Sequence, residues 1–204
     1  MSSFIGHSLA AIGVYAFTQP QQQTRPTQSI GQKLWLFWLI AIASAPDIDY
    51  LIPALQSPAH QGLRITHSIL VSLCLPVLAI VALMTGRAKG RKRTIMMLQL
   101  VGAGLSHLLL DLLVGVTPLP LFWPFSAHLF QLRFGLLPSA GRIALSNYYF
   151  YRNLSIELGV LLPLLAGWQL IRQTALRTMR QRLTIAALVM CSMGFMYWAA
   201  CLPR

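Results

Sequence analysis

Six apolar stretches separated by short polar segments are the feature that most limits how this chain can fold. A helix needs about 20 apolar residues to cross a bilayer, and several of the stretches approach that length. Only 10% of the residues are charged, whereas an ordinary soluble domain has about 25%. The sequence therefore predicts an all-α, polytopic membrane bundle with about six spans, organised as one domain over residues 1–204. The stretches are residues 4–18, 34–46, 68–85, 94–116, 154–171 and 183–201.

Residues 117–153, between the fourth and fifth stretches, contain four prolines and many aromatic residues. Proline at this density interrupts helices. We therefore expect a long irregular loop here, on the outer side of the membrane.

The basic residues predict the orientation of the chain. The formal net charge is +12, and of the 16 Lys and Arg residues five lie in residues 87–93 and four in residues 172–182. Basic clusters between apolar runs are typical of cytoplasmic loops, whereas a nucleic-acid-binding protein carries its cations on a solvated face. We therefore expect a protein of the bacterial inner membrane, with lipid and not nucleic acid as its surroundings. Both basic loops would be cytoplasmic.

The chain has only four acidic residues, and none lies in a solvated charge run. An ionisable side chain inside a membrane segment costs about 2.5 to 3.5 kcal/mol, so a functional role is one explanation, and a structural ion pair with an arginine is the other. The four are Asp47, Asp49, Asp111 and Glu157.

Histidines accompany these acids. His107 and Asp111 are four residues apart and share one face of a helix, where they can bind the same metal ion. His7 and His67 stand near the heads of the first and third stretches. The orientation places these residues, with Asp47, Asp49 and Glu157, at the outer end of the bundle. A common depth predicts a metal site there, facing outward.

Imidazole and carboxylate ligands together favour Zn²⁺, with Mn²⁺ or Fe²⁺ as alternatives. Such a metal can activate water for hydrolysis. No Gly-x-Ser-x-Gly motif is present to supply a serine nucleophile instead.

The order of the motifs resembles a known family. The series Gly6-His7, Pro46-Asp47-Ile48-Asp49, Thr66-His67-Ser68 and Ser106-His107 through Asp111, followed by a proline-rich segment, looks like that of the YdjM-type membrane-bound metal-dependent hydrolases. The resemblance covers residues 6 to 125 and implies hydrolysis, but it leaves the substrate open.

The series is also similar, more distantly, to the all-helical zinc-dependent phospholipase C and P1 nuclease group. That similarity implies one zinc ion held by Asp47, His67, His107 and Asp111, with Asp111 bridging to another ion near His7. It implies a further ion at His128 and Glu157, although Asn153 stands where that group has a histidine. One to three ions would then be bound.

Several roles follow from the two resemblances. Asp49 would be either a ligand or a group that orients His67. The expected catalytic residues are Asp47, Asp111 and Glu157. The expected substrate contacts are His60, Arg152 and Asn153, with Arg152 as the phosphate contact.

The predicted function is hydrolysis of a phosphoester, with a phospholipid as one candidate substrate. The aromatic and basic side chains of the long loop would form either a lipid headgroup platform or an ordinary aromatic belt. A non-catalytic membrane protein, such as a metal or proton translocator or a stress-induced scaffold, is the alternative. The sequence does not indicate an oligomeric state.

Overall fold

The fold was analysed in a computed structural model that describes residues 2–19, 30–50, 63–86, 88–139, 146–173 and 178–202. Within these ranges the chain forms six α-helices and two short 3-10 helices, and no β-strand, so the all-α prediction is confirmed. The 3-10 helices are Ala45–Tyr50 and Ile65–His67. The α-helices are α1 (Phe4–Thr18), α2 (Ile30–Ser44), α3 (Ile69–Thr85), α4 (Gly90–Val114), α5 (Tyr148–Gln173) and α6 (Met179–Ala200).

The helices follow the predicted apolar stretches closely, with one clear difference. α5 begins at Tyr148, so the last six residues of the expected loop are helical. Asn147 explains this start, because its side-chain oxygen accepts a hydrogen bond from the Tyr149 backbone N–H at 3.1 Å. The first six residues of α5 include tyrosine, arginine and asparagine, and a helix boundary chosen by hydrophobicity alone excludes these residues.

The helices differ in their capacity to cross a membrane. Of the described helices, α4, α5 and α6 are long and apolar enough to do so. The helices α1 and α2 have 15 residues each and α3 has 17, which is about 23 to 26 Å at 1.5 Å per residue and less than the ~30 Å hydrocarbon core. The count of six spans therefore stays a prediction.

Helix α4 is the centre of the bundle, because it packs against α1, α2 and α3. Helix α1 also contacts α2 and α5, and α6 packs on α5. The apolar core where α1, α2 and α4 meet consists of Ala11, Tyr15, Leu39, Ile42, Ala43, Leu100 and Ala103.

A buried amide joins the same three helices. The Gln99 side chain of α4 accepts a hydrogen bond from the Trp35 indole N–H at 2.7 Å and donates one to the Thr18 hydroxyl at 2.8 Å. A buried amide without partners costs about 1–3 kcal/mol. These two bonds therefore favour one relative arrangement of α1, α2 and α4.

Helices α3 and α4 approach each other closely at Gly104. A Cβ atom at this position would lie 2.9 Å from the Pro76 ring and 2.9 Å from the Ser72 carbonyl oxygen. Gly104 is one turn before His107, so the close approach brings His107 near the start of α3, which follows His67.

The segment that follows α4 is irregular over residues 115–139, as the prolines predicted. One isolated antiparallel bridge joins Leu119 and Phe130, with both N–H to O distances at 2.8 Å. The Ile69 N–H donates to the Leu121 carbonyl at 3.0 Å, which attaches this segment to the first residue of α3.

The orientation of the bundle can be tested with reporter fusions. Two crossings, α4 and α5, separate the basic segment before α4 from the one before α6, so both segments should lie on the same face of the membrane. Their positive charge predicts that this face is the cytoplasmic one. Alkaline phosphatase, which is active only outside, should be inactive when fused after Lys89 or Thr178 and active when fused after Leu129. Opposite results at Lys89 and Thr178 would contradict a common face for the two basic segments.

Candidate metal centre

Five side chains from four parts of the fold meet at one end of the bundle. His7 lies in the second turn of α1, Asp47 in the 3-10 helix after α2, and His67 in the 3-10 helix before α3; His107 and Asp111 lie one turn apart on α4. We call His7, Asp47, His67, His107 and Asp111 the His–Asp cluster. All of them are buried except Asp47, whose side chain is 25% exposed.

The local sequence explains why the 3-10 segment carries Asp47 to the cluster. Helix α2 ends at Ser44, and Pro46 in the following segment has no N–H with which to continue the helix. The chain tightens into a 3-10 turn, where residues two apart point in different directions. Asp47 consequently faces the cluster, and Asp49 pairs with Arg64, whose Nη2 atom lies 2.8 Å from Asp49 Oδ2 and also 3.6 Å from Asp47 Oδ1.

Four ligand atoms converge within this cluster. The Nε2 atom of His67 lies 3.4 Å from Asp47 Oδ1 and 3.2 Å from Asp111 Oδ2. The Nε2 atom of His107 lies 3.7 Å from Asp47 Oδ1 and 3.6 Å from Asp111 Oδ2, and the two Nε2 atoms are 3.2 Å apart. Ligand atoms of these four residues all lie within 4.8 Å of one another, so the group could hold a metal ion.

His7 lies on the other side of the two carboxylates. Its Nε2 atom is 3.6 Å from Asp47 Oδ2 and 3.7 Å from Asp111 Oδ1, and its ring stacks on that of His107 with centroids 3.9 Å apart. Each carboxylate therefore presents one oxygen to His67 and His107 and its other oxygen to His7.

Hydrogen bonds assign the tautomers of two histidines. His107 Nδ1 lies 2.7 Å from the Ala43 carbonyl oxygen, which can only accept, so this nitrogen carries the hydrogen. The Thr66 hydroxyl donates its single hydrogen to Asp49 Oδ2 at 2.9 Å, so it must accept from His67 Nδ1, also at 2.9 Å. In both neutral rings the Nε2 lone pair then points into the cluster.

The Asp49 carboxylate supports the cluster from outside. It accepts three hydrogen bonds from the Arg64 guanidinium, at 2.8, 2.9 and 3.0 Å, and one from Thr66. Asp49 and Arg64 are both buried. Of the two roles expected for Asp49, its contacts correspond to orienting His67 through Thr66.

Charge interactions shift the pKa values of the two cluster residues that lie in the 3-10 helices. Burial would lower the pKa of His67, but hydrogen bonds to Asp111 and Asp47 outweigh burial and raise it. Burial would raise the pKa of Asp47, but the hydrogen bond with His67 and the nearby His107 lower it. Both shifts arise because the carboxylates favour a positive charge between them.

Glu157 is buried, but it does not belong to the group of residues that could hold a metal ion. Its carboxylate accepts hydrogen bonds from the hydroxyls of Ser2 and Ser3 and from the Ser3 N–H. The Ser2 N–H in turn donates to Asp111 Oδ1 at 2.8 Å. Glu157 therefore connects α5 to the cluster through Ser2 and Ser3, which the sequence analysis did not single out.

The remaining predicted site residues lie elsewhere. The His128 side chain is exposed, and its ring packs edge-on against Phe130 at 4.7 Å. Among the described residues, the group that could hold a metal ion includes neither His128 nor Glu157, and the further ion site that the distant resemblance implied stays a prediction. His60 lies outside the described residues.

Arg152 and Asn153 contact each other and the long loop. The Arg152 side chain donates to the Asn153 side-chain oxygen at 3.1 Å, and the Asn153 amide donates to the Ser139 carbonyl at 2.7 Å. The Arg152 guanidinium also lies over the Tyr149 ring, 5.1 Å from its centroid. These contacts connect the first turn of α5 to the loop, one turn before Glu157.

The fold and the cluster together define a helical membrane protein with a buried carboxylate and imidazole centre. Comparison with protein families shows the family to which this membrane protein belongs. The model of the YdjM inner membrane protein family matches residues 1–200, so the chain belongs to this family and is an inner membrane protein. No curated protein and no solved structure matches the chain.

Asp49→Asn tests the supporting role of Asp49. Breaking a buried ion pair costs about 3 to 5 kcal/mol, so we expect a lower melting temperature in detergent. Metal affinity should fall about 10- to 100-fold without being lost, which is typical of groups that orient ligands. Complete loss of metal with unchanged stability would instead make Asp49 a direct ligand.

Proposed function

We propose that the chain is a membrane-bound, metal-dependent hydrolase that cleaves phosphoesters, with the His–Asp cluster as its metal centre. One observation carries the proposal: two imidazole lone pairs and two carboxylate oxygens face one another in a buried space. The two carboxylates favour a positive charge between them, and a divalent cation bound by the four atoms would supply it.

The spacing of these atoms fits a small divalent cation. Bonds of about 2.0 to 2.1 Å to a tetrahedral zinc ion place neighbouring ligand atoms about 3.3 Å apart. Five of the separations among the four ligand atoms run from 3.2 to 3.7 Å, and all of these atoms lie within 4.8 Å of one another. Asp47 Oδ1 and Asp111 Oδ2 are buried beside the two imidazoles, and Asp47 Oδ1 also lies 3.6 Å from Arg64 Nη2; both oxygens could bind a metal. Zinc is the proposed ion, and manganese or iron would suit the same ligands.

A second ion position is part of the proposal. Both ring nitrogens of His7 are buried without a hydrogen-bond partner. The ring faces the carboxylate oxygens that point away from His67 and His107. His7, Asp47 and Asp111 would hold this second ion; the similarity to the zinc-dependent phospholipase C and P1 nuclease group implied such a shared role for Asp111. The proposed centre therefore has two ion positions, both within the His–Asp cluster.

The roles of the protein groups follow from exposure and charge. A divalent metal in such a centre supplies an activated water at neutral pH and neutralises charge on a phosphoester. Asp47 is the one partly exposed member of the cluster, so substrate and water would approach past it, and its carboxylate would accept the proton of the attacking water. Glu157 holds Ser2 against Asp111, and Arg152 remains the proposed phosphate contact.

The arrangement favours catalysis over translocation. A relay across the membrane needs ionisable groups at successive depths. The four acids of this chain instead belong to one connected group, because Asp49 bonds Thr66 beside His67, and Ser2 joins Asp111 to Glu157.

Metal analysis of the purified protein tests the centre. We expect about two zinc ions per chain, and a chelator should remove them. The metal should also be lost in His107→Ala and in Asp111→Asn, which keeps the shape of the side chain. His128→Ala, which changes an exposed histidine, is the matched control and should keep its metal. A wild-type protein that binds no divalent metal would refute the proposal, provided that its melting temperature shows it to be folded.

His7→Ala separates the two positions. The variant should lose about one of two ions, because His67 and His107 remain. Hydrolysis of a soluble aryl phosphodiester should fall by about 100-fold or more, the scale on which removal of one charge-stabilising group acts. Unchanged metal content in His7→Ala would exclude the second position, and a metal-loaded wild type that cleaves no phosphoester would exclude the hydrolase.

A further inference from the structure

An apolar groove begins beside the His–Asp cluster. One wall is the first half of α3, and the other is the turn at residues 121–125. The groove has a volume of 620 Å³ and is lined by apolar side chains, which include Ile69, Leu73, Val77, Leu121, Phe122 and Phe125. No charged side chain contributes to its lining.

One end of the groove lies two residues along the chain from His67 of the His–Asp cluster. Ile69 is the first residue of α3 and is separated from His67 only by Ser68, the buried cap of this helix. The Ile69 N–H donates to the Leu121 carbonyl at 3.0 Å, so the two walls are joined at the end nearest the cluster.

The length of the groove matches one leaflet of a bilayer. Its α3 wall runs from Ile69 to Leu78, which is about 14 Å at 1.5 Å per residue. Half of a hydrocarbon core is about 15 Å thick. The groove therefore extends from the depth of the cluster towards the middle of the membrane.

We propose that the groove holds one acyl chain of a phospholipid from the surrounding leaflet, with the headgroup phosphoester at the His–Asp cluster. The inference rests on the proposed function, because it names the substrate class of that site. The volume lies within the range of about 300 to 1,000 Å³ that small-molecule sites have.

The groove would act by positioning the substrate. Lipid tails are as apolar as leucine, so an acyl chain gains little hydrophobic free energy when it moves from the bilayer into the groove. What the groove supplies is a fixed path for the chain, and this path holds the phosphoester near the reacting groups.

Photolabelling of the purified protein tests the proposal without any need for turnover. The probe is a long-chain phosphatidylethanolamine with a diazirine on one acyl chain, and the adducts are mapped by mass spectrometry. Labelling should concentrate on residues 69–78 and 121–125 and should be displaced by excess unlabelled lipid.

Two variants of α3 provide a matched pair. Val77→Trp fills the groove, whereas Val81→Trp lies one turn further along the helix and outside the groove; the two valines are 51% and 56% exposed. Overpacking on this scale should lower groove labelling about tenfold in Val77→Trp. Val81→Trp should label like the wild type, and the melting temperatures of both variants should show that they are folded.

Two outcomes would overturn the groove proposal. Even labelling over α5 and α6, or equal labelling in the two variants, would make the groove an ordinary lipid-facing surface. Cross-links between two protein chains through residues 69–78 would show that a second copy covers it.

The result is separable from that for the hydrolase. If the groove is labelled but the protein cleaves no phosphoester, only the proposed function is refuted. If the protein is a hydrolase but the groove is not labelled, only the groove proposal is refuted. In an active protein, Val77→Trp should slow cleavage of the long-chain phospholipid about tenfold relative to Val81→Trp.

Discussion

Mutual repulsion among buried lone pairs is the constraint on which the rest of this structure depends. His67, His107, Asp47 and Asp111 bring electron-rich atoms close to one another, and all of them except Asp47 are buried from water. Such an arrangement persists only if the surrounding protein holds each group rigidly, because each would otherwise turn towards a better partner. The Ala43 carbonyl and the Thr66 hydroxyl hold the outer nitrogens of two of these rings.

The same demand explains how the bundle is built around α4. This helix carries two of the cluster residues. Each of its neighbours positions one more: α1 carries His7, α2 is followed by Asp47, and α3 is preceded by His67. Gln99 joins α1, α2 and α4, and Gly104 lets α3 approach α4 closely. Contacts distant from the cluster therefore determine the separation of its ligands, since shifting one helix moves the ligand that it carries.

The sequence predicted the parts of the site that depend on local periodicity. His107 and Asp111 were placed on one face by their spacing of four residues, and the apolar stretches located the six described helices with ends that differ by at most six residues. The two explanations offered for the acids apply to different residues. Asp49 forms an ion pair with Arg64, whereas Asp47 and Asp111 belong to the group that could hold a metal ion.

Contacts between distant parts of the chain could not be predicted in this way. Nothing in the sequence near Ser2 indicates that it bonds Asp111 and Glu157, because hydrogen bonding between residues 109 and 155 positions apart leaves no periodic signal. The ligand role of His128 likewise came from motif order and not from local periodicity; its side chain is exposed on the loop that contains the bridge between Leu119 and Phe130.

The bonds from Ser2 and Ser3 to Glu157 also bear on biosynthesis. A membrane protein is inserted as it is translated, and its N-terminal helices enter the bilayer first. All five members of the His–Asp cluster lie within the first 111 residues, but Glu157 belongs to α5. Ser2 and Ser3, which precede α1, must therefore wait for the fifth helix before their hydroxyls reach this partner. The hydrogen bonds that connect Asp111 to Glu157 are thus completed late in assembly, after all members of the His–Asp cluster have been synthesised.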